Sequence, residues 1–143
     1  MTRTASIRLA AIVLSALAFV ATACSSGGGV DATLKDFEIS LGSSSGDAGD
    51  VTFNITNDGP SAHEFVVFKT DLAPDALPTV DDENGIPIVD EEGEGIELVD
   101  EAEDIAPDSS TDLTVSLDAG SYVIICNIPG HYEQGMHTSF TTS

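Results

Sequence analysis

The stretch from Tyr122 to Phe140, YVIICNIPGHYEQGMHTSF, determines how the rest of the chain is interpreted. It begins with an apolar run, passes through an Asn-Ile-Pro-Gly loop and ends in a second strand-like segment. Proline fixes φ and glycine permits a tight reversal, so this loop is compact. Cys126, His131 and Met136 follow a Cys-x4-His-x4-Met spacing within it. The pattern places a thiol, an imidazole and a thioether close together between two strands.

These three side chains form a soft set of metal ligands that lacks one nitrogen. His63, at the start of the strand-like run HEFVVF, can supply it. Two histidines and one cysteine with a weak axial methionine are the ligands of blue-copper electron-transfer sites. We therefore expect one copper ion to be bound by His63, Cys126, His131 and Met136. Because side chains alternate along a strand, His137 points away from its neighbour Met136, and we interpret it as a surface residue.

The N-terminal residues 1–23 are predicted to be a bacterial lipoprotein signal peptide. Two arginines precede an apolar run that is too short for a committed membrane span. Small residues then precede Cys24 in an ending that resembles a lipobox, with Ala21 in place of the usual Leu. We expect acylation of Cys24 and lipid anchoring to the outer side of the bacterial cell membrane, in the periplasm or at the cell surface. The alternative to a lipoprotein signal peptide is an ordinary signal peptide that is cleaved nearby. Residues 24–31 form a Ser/Gly-rich tether between the anchor and the domain.

The cysteine count supports the metal hypothesis. If Cys24 carries lipid, Cys126 is the single remaining cysteine of an exported protein. An unpaired thiol outside the cytoplasm is exposed to oxidation, and metal binding explains why it is retained. The alternative is a Cys24–Cys126 disulfide, which would join the mobile tether to the end of a strand.

The charge of the chain is strongly acidic, with 25 Asp and Glu against four Lys and Arg. Every acidic residue follows residue 30, whereas two of the four cations lie in the leader. A protein with this charge does not bind nucleic acid or an anionic membrane surface by electrostatic attraction. The composition favours a basic protein partner or a saline environment.

Residues 32–143 have the alternating apolar pattern of short β-strands separated by Gly, Pro and Asp turns. One run, Phe-Val-Val-Phe, is continuously apolar, which is typical of a strand buried on both faces. The pattern predicts a single all-β domain, an antiparallel sandwich. The predicted strands cover residues 34–41, 51–56, 65–68, 113–117, 122–126 and 138–142.

An acidic segment, residues 71–107, is inserted between two predicted core strands. It contains fourteen Asp and Glu and no Lys or Arg between residues 71 and 104. It also contains a repeat, GIPIVDE at 85–91 and GIELVDE at 95–101. Either the two copies pair as a hairpin with Pro87 in an edge strand, or the segment is a loosely ordered acidic loop.

Residues 32–143 resemble the cupredoxins, the small blue (type 1) copper proteins of the plastocyanin and azurin kind. The resemblance implies a Greek-key β-sandwich that holds one type 1 copper ion, with Met136 as the axial ligand. Family members often have Asn after the first histidine, where this chain has Glu64. The residues that carry the resemblance are Ala62-His63-Glu64-Phe65, Cys126-Asn127-Ile128-Pro129-Gly130-His131 and Gly135-Met136.

The resemblance implies transfer of single electrons between redox partners and no enzymatic activity, since ligation by protein alone leaves no open position for a substrate. The partner is expected to be a redox protein such as a basic cytochrome or oxidase. His131 is the expected exit for the electron, with an apolar docking rim around it formed by Ile128, Pro129, Gly59 and Pro60. The alternatives are an extracytoplasmic copper-binding or delivery protein and a β-sandwich interaction module without metal.

Overall fold

The computed structural model describes residues 29–143, which fold into a sandwich of two β-sheets. The predicted signal peptide and the predicted lipid attachment site, Cys24, lie outside the described residues. No helix long and apolar enough to cross a membrane occurs in the described part of the chain. The strands within it are β1 (Val30–Lys35), β2 (Glu38–Leu41), β3 (Ser45–Gly46), β4 (Gly49–Asn57), β5 (His63–Lys69), β6 (Thr79–Asp81), β7 (Pro87–Val89), β8 (Glu97–Ile105), β9 (Ser109–Leu117), β10 (Gly120–Ile125) and β11 (His137–Thr142).

The two large sheets have the strand orders β2-β1-β4-β9 and β3-β11-β10-β5-β8. The prediction of an all-β sandwich is therefore confirmed. Most pairs are antiparallel, but β1 pairs parallel with β4 and β3 pairs parallel with β11. A parallel pair requires a crossover connection, which β2 and β3 provide between β1 and β4. The predicted antiparallel arrangement holds for the other strand pairs.

The predicted strand at residues 34–41 is also wrong, because it is divided by a turn at Asp36 and Phe37. The strands on either side of this turn, β1 and β2, pair with each other in antiparallel register. Leu34 and Ile39 are both buried, although one has an even and the other an odd residue number, so they could not share one face of a continuous strand. Since side chains alternate strictly along one strand, this change of parity requires an interruption between the two residues.

A continuous apolar core fills the space between the sheets. The Phe53 ring packs against Phe65 and Phe140, with ring centroids 5.2 and 5.3 Å apart. Residues 65–68 are all fully buried, which confirms the prediction of a strand covered on both faces. Cys126 belongs to the same cluster as the three phenylalanines, so the predicted metal ligands lie at one end of the main core.

The two copies of the acidic repeat do not pair with each other. β7 in the first copy pairs with β6, whereas β8 in the second copy pairs with β5 at the edge of the large sheet. Both the hairpin between the copies and the loosely ordered loop are therefore wrong. The strand that begins in the second copy continues to Ile105, and it pairs with β5 from His63 to Lys69, which gives backbone groups along β5 their partners.

The remainder of the acidic segment covers the outer face of the second sheet. The Tyr132 hydroxyl donates to the Pro74 carbonyl at 2.8 Å and accepts from the Leu77 amide at 2.9 Å. These contacts attach the segment to the loop that carries the predicted ligands. The buried residues of this second apolar cluster are Val66, Phe68, Leu77, Val89, Val123, Ile125 and Tyr132.

Asn127 provides a second attachment between the acidic segment and the ligand loop. Its side-chain oxygen accepts from the Val89 amide at 2.7 Å, and its NH₂ group donates to the Val89 carbonyl at 3.1 Å. The Gly130 amide donates to the Pro87 carbonyl at 2.9 Å. The strand β7 is therefore bonded to the ligand loop almost as a neighbouring strand would be.

We predict that Tyr132→Phe loosens the acidic segment. The free energy of unfolding should fall by about 1–3 kcal/mol, because the buried Leu77 amide loses its acceptor. Urea denaturation measures the loss, and hydrogen exchange at Leu77 locates it. Tyr122→Phe is the matched control, since the Tyr122 hydroxyl donates to the Asp118 carbonyl instead. Equal protection of the Leu77 amide in the two variants would contradict the prediction.

Candidate metal centre

Three of the predicted donor atoms converge at one end of the sandwich. Sγ of Cys126 lies 3.4 Å from Nδ1 of His131 and 3.8 Å from Nδ1 of His63. All three donors lie within 4.8 Å of one another. A metal such as zinc binds sulfur at about 2.3 Å and nitrogen at about 2.0 Å, which separates two donors by about 3.5–3.8 Å. The spacing of these side chains therefore fits one metal ion.

Met136 lies in the same region of the core. It is fully buried, and it belongs to the apolar cluster that contains Cys126. Its carbonyl accepts a hydrogen bond from the Cys126 amide at 3.1 Å, which closes the ligand loop at its base. His137, by contrast, is partly exposed and packs on the Tyr132 ring at a centroid distance of 5.2 Å. It does not join the donor cluster, in agreement with its interpretation as a surface residue.

Backbone hydrogen bonds define the shape of the ligand loop. The His131 amide donates to the Ile128 carbonyl at 2.9 Å, and the Met136 amide donates to the His131 carbonyl at 3.2 Å. Gly130 and Gly135 have φ angles of 79° and 101°, which glycine adopts without a steric penalty. The loop therefore makes two tight reversals, and the second returns the chain to β11 at Met136.

The Cys126 thiol is buried but accepts a hydrogen bond from the backbone. The Glu64 amide donates to Sγ at 3.3 Å, and the nearby Ile128 amide also favours the thiolate form. Burial raises the pKa of the Cys126 thiol to about 11, against the opposing effect of these two amides. Since the thiolate is the form that binds a metal, metal binding here releases a proton. Among residues 29–143 this cysteine is a free thiol.

The two imidazoles differ in their exposure. His63 is fully buried, whereas His131 is half-buried at the surface end of the cluster. Burial, and then the proximity of His63, lower the pKa of His131. The neutral imidazole is the form that binds metals, so His131 is already in its binding form at neutral pH.

The sequence analysis missed two residues that contact the imidazoles. Oδ1 of Asp36 lies 2.9 Å from Nε2 of His63. The Phe37 ring packs edge-on against the His131 ring, with centroids 5.0 Å apart. The change of parity described above marks a turn at these positions. No pattern in the sequence around Asp36 and Phe37 indicates that this turn faces the histidines.

A third missed residue, Asn57, fixes the loop that precedes His63. Its NH₂ group donates to the Ser61 and Ile105 carbonyls, both at 2.8 Å, and its oxygen accepts from the Gly59 amide at 2.9 Å. Gly59 is buried, and a Cβ there would lie 3.0 Å from Nε2 of His63. The prediction that Gly59 forms part of the docking rim is therefore wrong, because this glycine allows the loop to approach the imidazole.

A β-sandwich with a buried cysteine, two histidines and a methionine at one end defines the cupredoxin class of proteins. Solved cupredoxin structures share the fold. Auracyanin B is 18% identical over 80% of this chain and 88% of its own, with a TM-score of 0.59. An auracyanin from Roseiflexus castenholzii is 16% identical over 79% and 94%, with a TM-score of 0.54. Reduced rusticyanin is 20% identical over 80% and 76%, with a TM-score of 0.57.

The family model for the sulfocyanin (SoxE) domain matches residues 46–143, and the chain belongs to this family. None of the curated proteins matches the chain significantly. The protein is thus a cupredoxin that binds one type 1 copper ion and transfers electrons, and it is not an enzyme. The predicted fold class, cofactor and absence of enzymatic activity are confirmed.

Proposed function

We propose that the protein carries single electrons outside the cytoplasm while anchored to the cell membrane through Cys24. The convergence of Sγ of Cys126 with the Nδ1 atoms of two histidines is the observation that supports the ligand assignment. When bound, copper supplies a one-electron Cu(II)/Cu(I) couple. The residues that would hold the copper are His63, Cys126, His131 and Met136.

In this proposal the chain keeps the donors in one arrangement in both oxidation states. Cys126 and Met136 are fully buried, so water does not compete with them for the metal. The two amides beside the Cys126 sulfur stabilise the thiolate charge in the core. Because strands β5, β10 and β11 carry or flank the donors, little reorganisation accompanies electron transfer.

The proposed surface for electron exchange surrounds His131. Of the three clustered donors, His131 is the one that is not fully buried. Pro60 and Pro129 are exposed beside the two loops that hold the donors, and Ile128 is half-buried. Ile86, in the acidic segment, is 42% exposed and reaches the ligand loop, since a Cβ on Gly130 would lie 3.5 Å from it. The acidic segment therefore contributes to the apolar rim at which a partner docks.

Cys126→Ser is expected to abolish the blue colour of the Cu(II) protein, because serine does not provide the thiolate that produces the intense visible band. Met136→Leu should retain the colour and change the reduction potential, since a weak axial ligand tunes the couple. Visible spectroscopy and redox titration of copper-loaded protein measure both effects. A Cys126→Ser protein with the wild-type spectrum would rule out the ligand assignment.

The proposed anchor rests on the lipobox-like ending before Cys24 and on the tether that follows it. Cys24→Ala should remove the protein from the membrane fraction or leave the precursor unprocessed, because no thiol remains for acylation. Fractionation of cells with a domain-specific antibody measures the change. The control is Cys126→Ser, which retains Cys24. If Cys24→Ala and the control fractionate identically, lipid anchoring at this cysteine is wrong.

We further propose that the partner is a basic redox protein, such as a cytochrome or an oxidase. Lys35 and Lys69 are the only lysines or arginines after the leader, and Lys69 is paired with Asp118 at 3.1 Å. Next to the metal centre, burial and the nearby carboxylates, led by Glu103, raise the pKa of Glu64. A concentration of one sign of charge increases the association rate with an oppositely charged partner.

The position of Asp81 and Glu83 provides a test of this steering. Both side chains are exposed near β7, which is bonded to the ligand loop. Loss of one charge about 10 Å from a partner's cation weakens the attraction between the two proteins by about 0.4 kcal/mol in water. The double variant Asp81→Asn/Glu83→Gln loses two charges, or about 0.8 kcal/mol, and should therefore slow electron transfer about fourfold at low salt. Stopped-flow kinetics with a basic c-type cytochrome measure the rate.

The matched control neutralises Asp47 and Asp50, which are exposed at the opposite end of the sandwich. This variant removes the same net charge from a distant surface, so its rate should fall less. At high salt the three proteins should react equally fast, because screening removes the attraction. Equal rates for the two variants at low salt would show that net charge alone is responsible.

A further inference from the structure

We propose that the turn between β1 and β2 positions both copper-binding imidazoles, and that the Asp36 carboxylate in this turn lowers the reduction potential through His63. This inference rests on the proposed ligand assignment. It adds a charged residue from a different part of the chain to the residues that control the metal.

The first observation is the environment of the two nitrogens of His63. Nδ1 faces Sγ of Cys126 at 3.8 Å, and Nε2 faces Oδ1 of Asp36 at 2.9 Å. This contact does not have hydrogen-bond geometry, and no other polar atom of the described residues bonds to Nε2. The contact between imidazole and carboxylate is therefore mainly electrostatic.

The second observation is that the Asp36 carboxylate is fixed in place. The Ser61 hydroxyl donates to its Oδ2 atom at 2.9 Å, and its side chain is 25% exposed. A Cβ on Gly59 would lie 3.1 Å from Oδ1, so the absence of a side chain there leaves room for the carboxylate. The Ser61 hydroxyl therefore holds the Asp36 carboxylate beside His63, in space that Gly59 leaves open.

The third observation is that the next residue contacts the other imidazole. The edge-on packing of Phe37 on His131 restricts the rotation of that ring, and the rings of His63 and His131 are themselves 5.3 Å apart. A single turn thus limits the orientation of both histidines. Asp36 and Phe37 are consecutive residues, and each side chain contacts one of the two neighbouring imidazole rings.

The expected effect of Asp36 on copper follows from charge. When Nδ1 of His63 binds a metal, the imidazole proton must lie on Nε2, the nitrogen that is 2.9 Å from the carboxylate oxygen. Electrostatic attraction between the carboxylate and this proton favours that tautomer and makes the imidazole a stronger donor. A negative charge also stabilises Cu(II) more than Cu(I), since the oxidised site carries one more positive charge. Both effects favour the oxidised state and lower the potential.

Asp36→Asn tests the inference, with Asp50→Asn as a control that removes the same charge at the opposite end of the sandwich. Loss of an outer carboxylate partner weakens metal binding by about 10- to 100-fold. If the loss for Cu(II) exceeds that for Cu(I) tenfold, the potential rises by about 59 mV. Redox titration measures the potential, and competition with a chelator measures the affinity. Asp36→Glu, which keeps the charge, should have a potential closer to that of the wild type.

The tautomer of His63 in the metal-free protein is a second, independent measurement. Nitrogen NMR should show the proton on Nε2 in the wild type and a mixture of tautomers in Asp36→Asn. Equal potentials for Asp36→Asn and Asp50→Asn, together with an unchanged tautomer, would overturn the inference. A wild-type protein without a blue copper spectrum would instead overturn the proposed function, while the tautomer would still report on Asp36.

Discussion

Burial of Cys126 and His63 at the end of an apolar core is the constraint on which the rest of this structure depends. Polar groups removed from water destabilise a fold unless they are bonded to other groups. Two backbone amides approach the Cys126 sulfur, and a carboxylate approaches Nε2 of His63. Strand β5, the ligand loop and the turn at Asp36 supply these contacts, so all three belong to the metal centre.

The acidic segment has two roles that the structure connects. Its inward-facing apolar residues form a second cluster on the outer face of the large sheet, while most of its carboxylates face solvent. Through the paired hydrogen bonds between Asn127 and Val89, the same segment supports the loop that carries three proposed ligands. A partner that binds the acidic surface therefore contacts a unit that is bonded directly to the metal centre.

In the proposed function, negative charge near the centre acts on both electron transfer and recognition. Burial, and then the carboxylates led by Glu103, raise the pKa of Glu64, and the charge of these carboxylates would favour the more positive, oxidised state of a bound metal. The same charge attracts a basic partner, and attraction is strongest while the protein has its full negative charge. Asp36 differs from the other carboxylates because it faces a fully buried nitrogen, where solvent screens the interaction least.

The sequence by itself determined the class of site and the kind of fold. Ligand spacing, loop glycines and strand alternation are local properties. They predicted donors at Cys126 and His131, and they identified the doubly buried strand β5 correctly. The tertiary structure alone decided that β8 pairs with β5 and that Asp36 faces His63. Alternation shows which face of a strand is buried but not which strand lies beside it. That choice depends on where backbone groups find partners across distant parts of the chain.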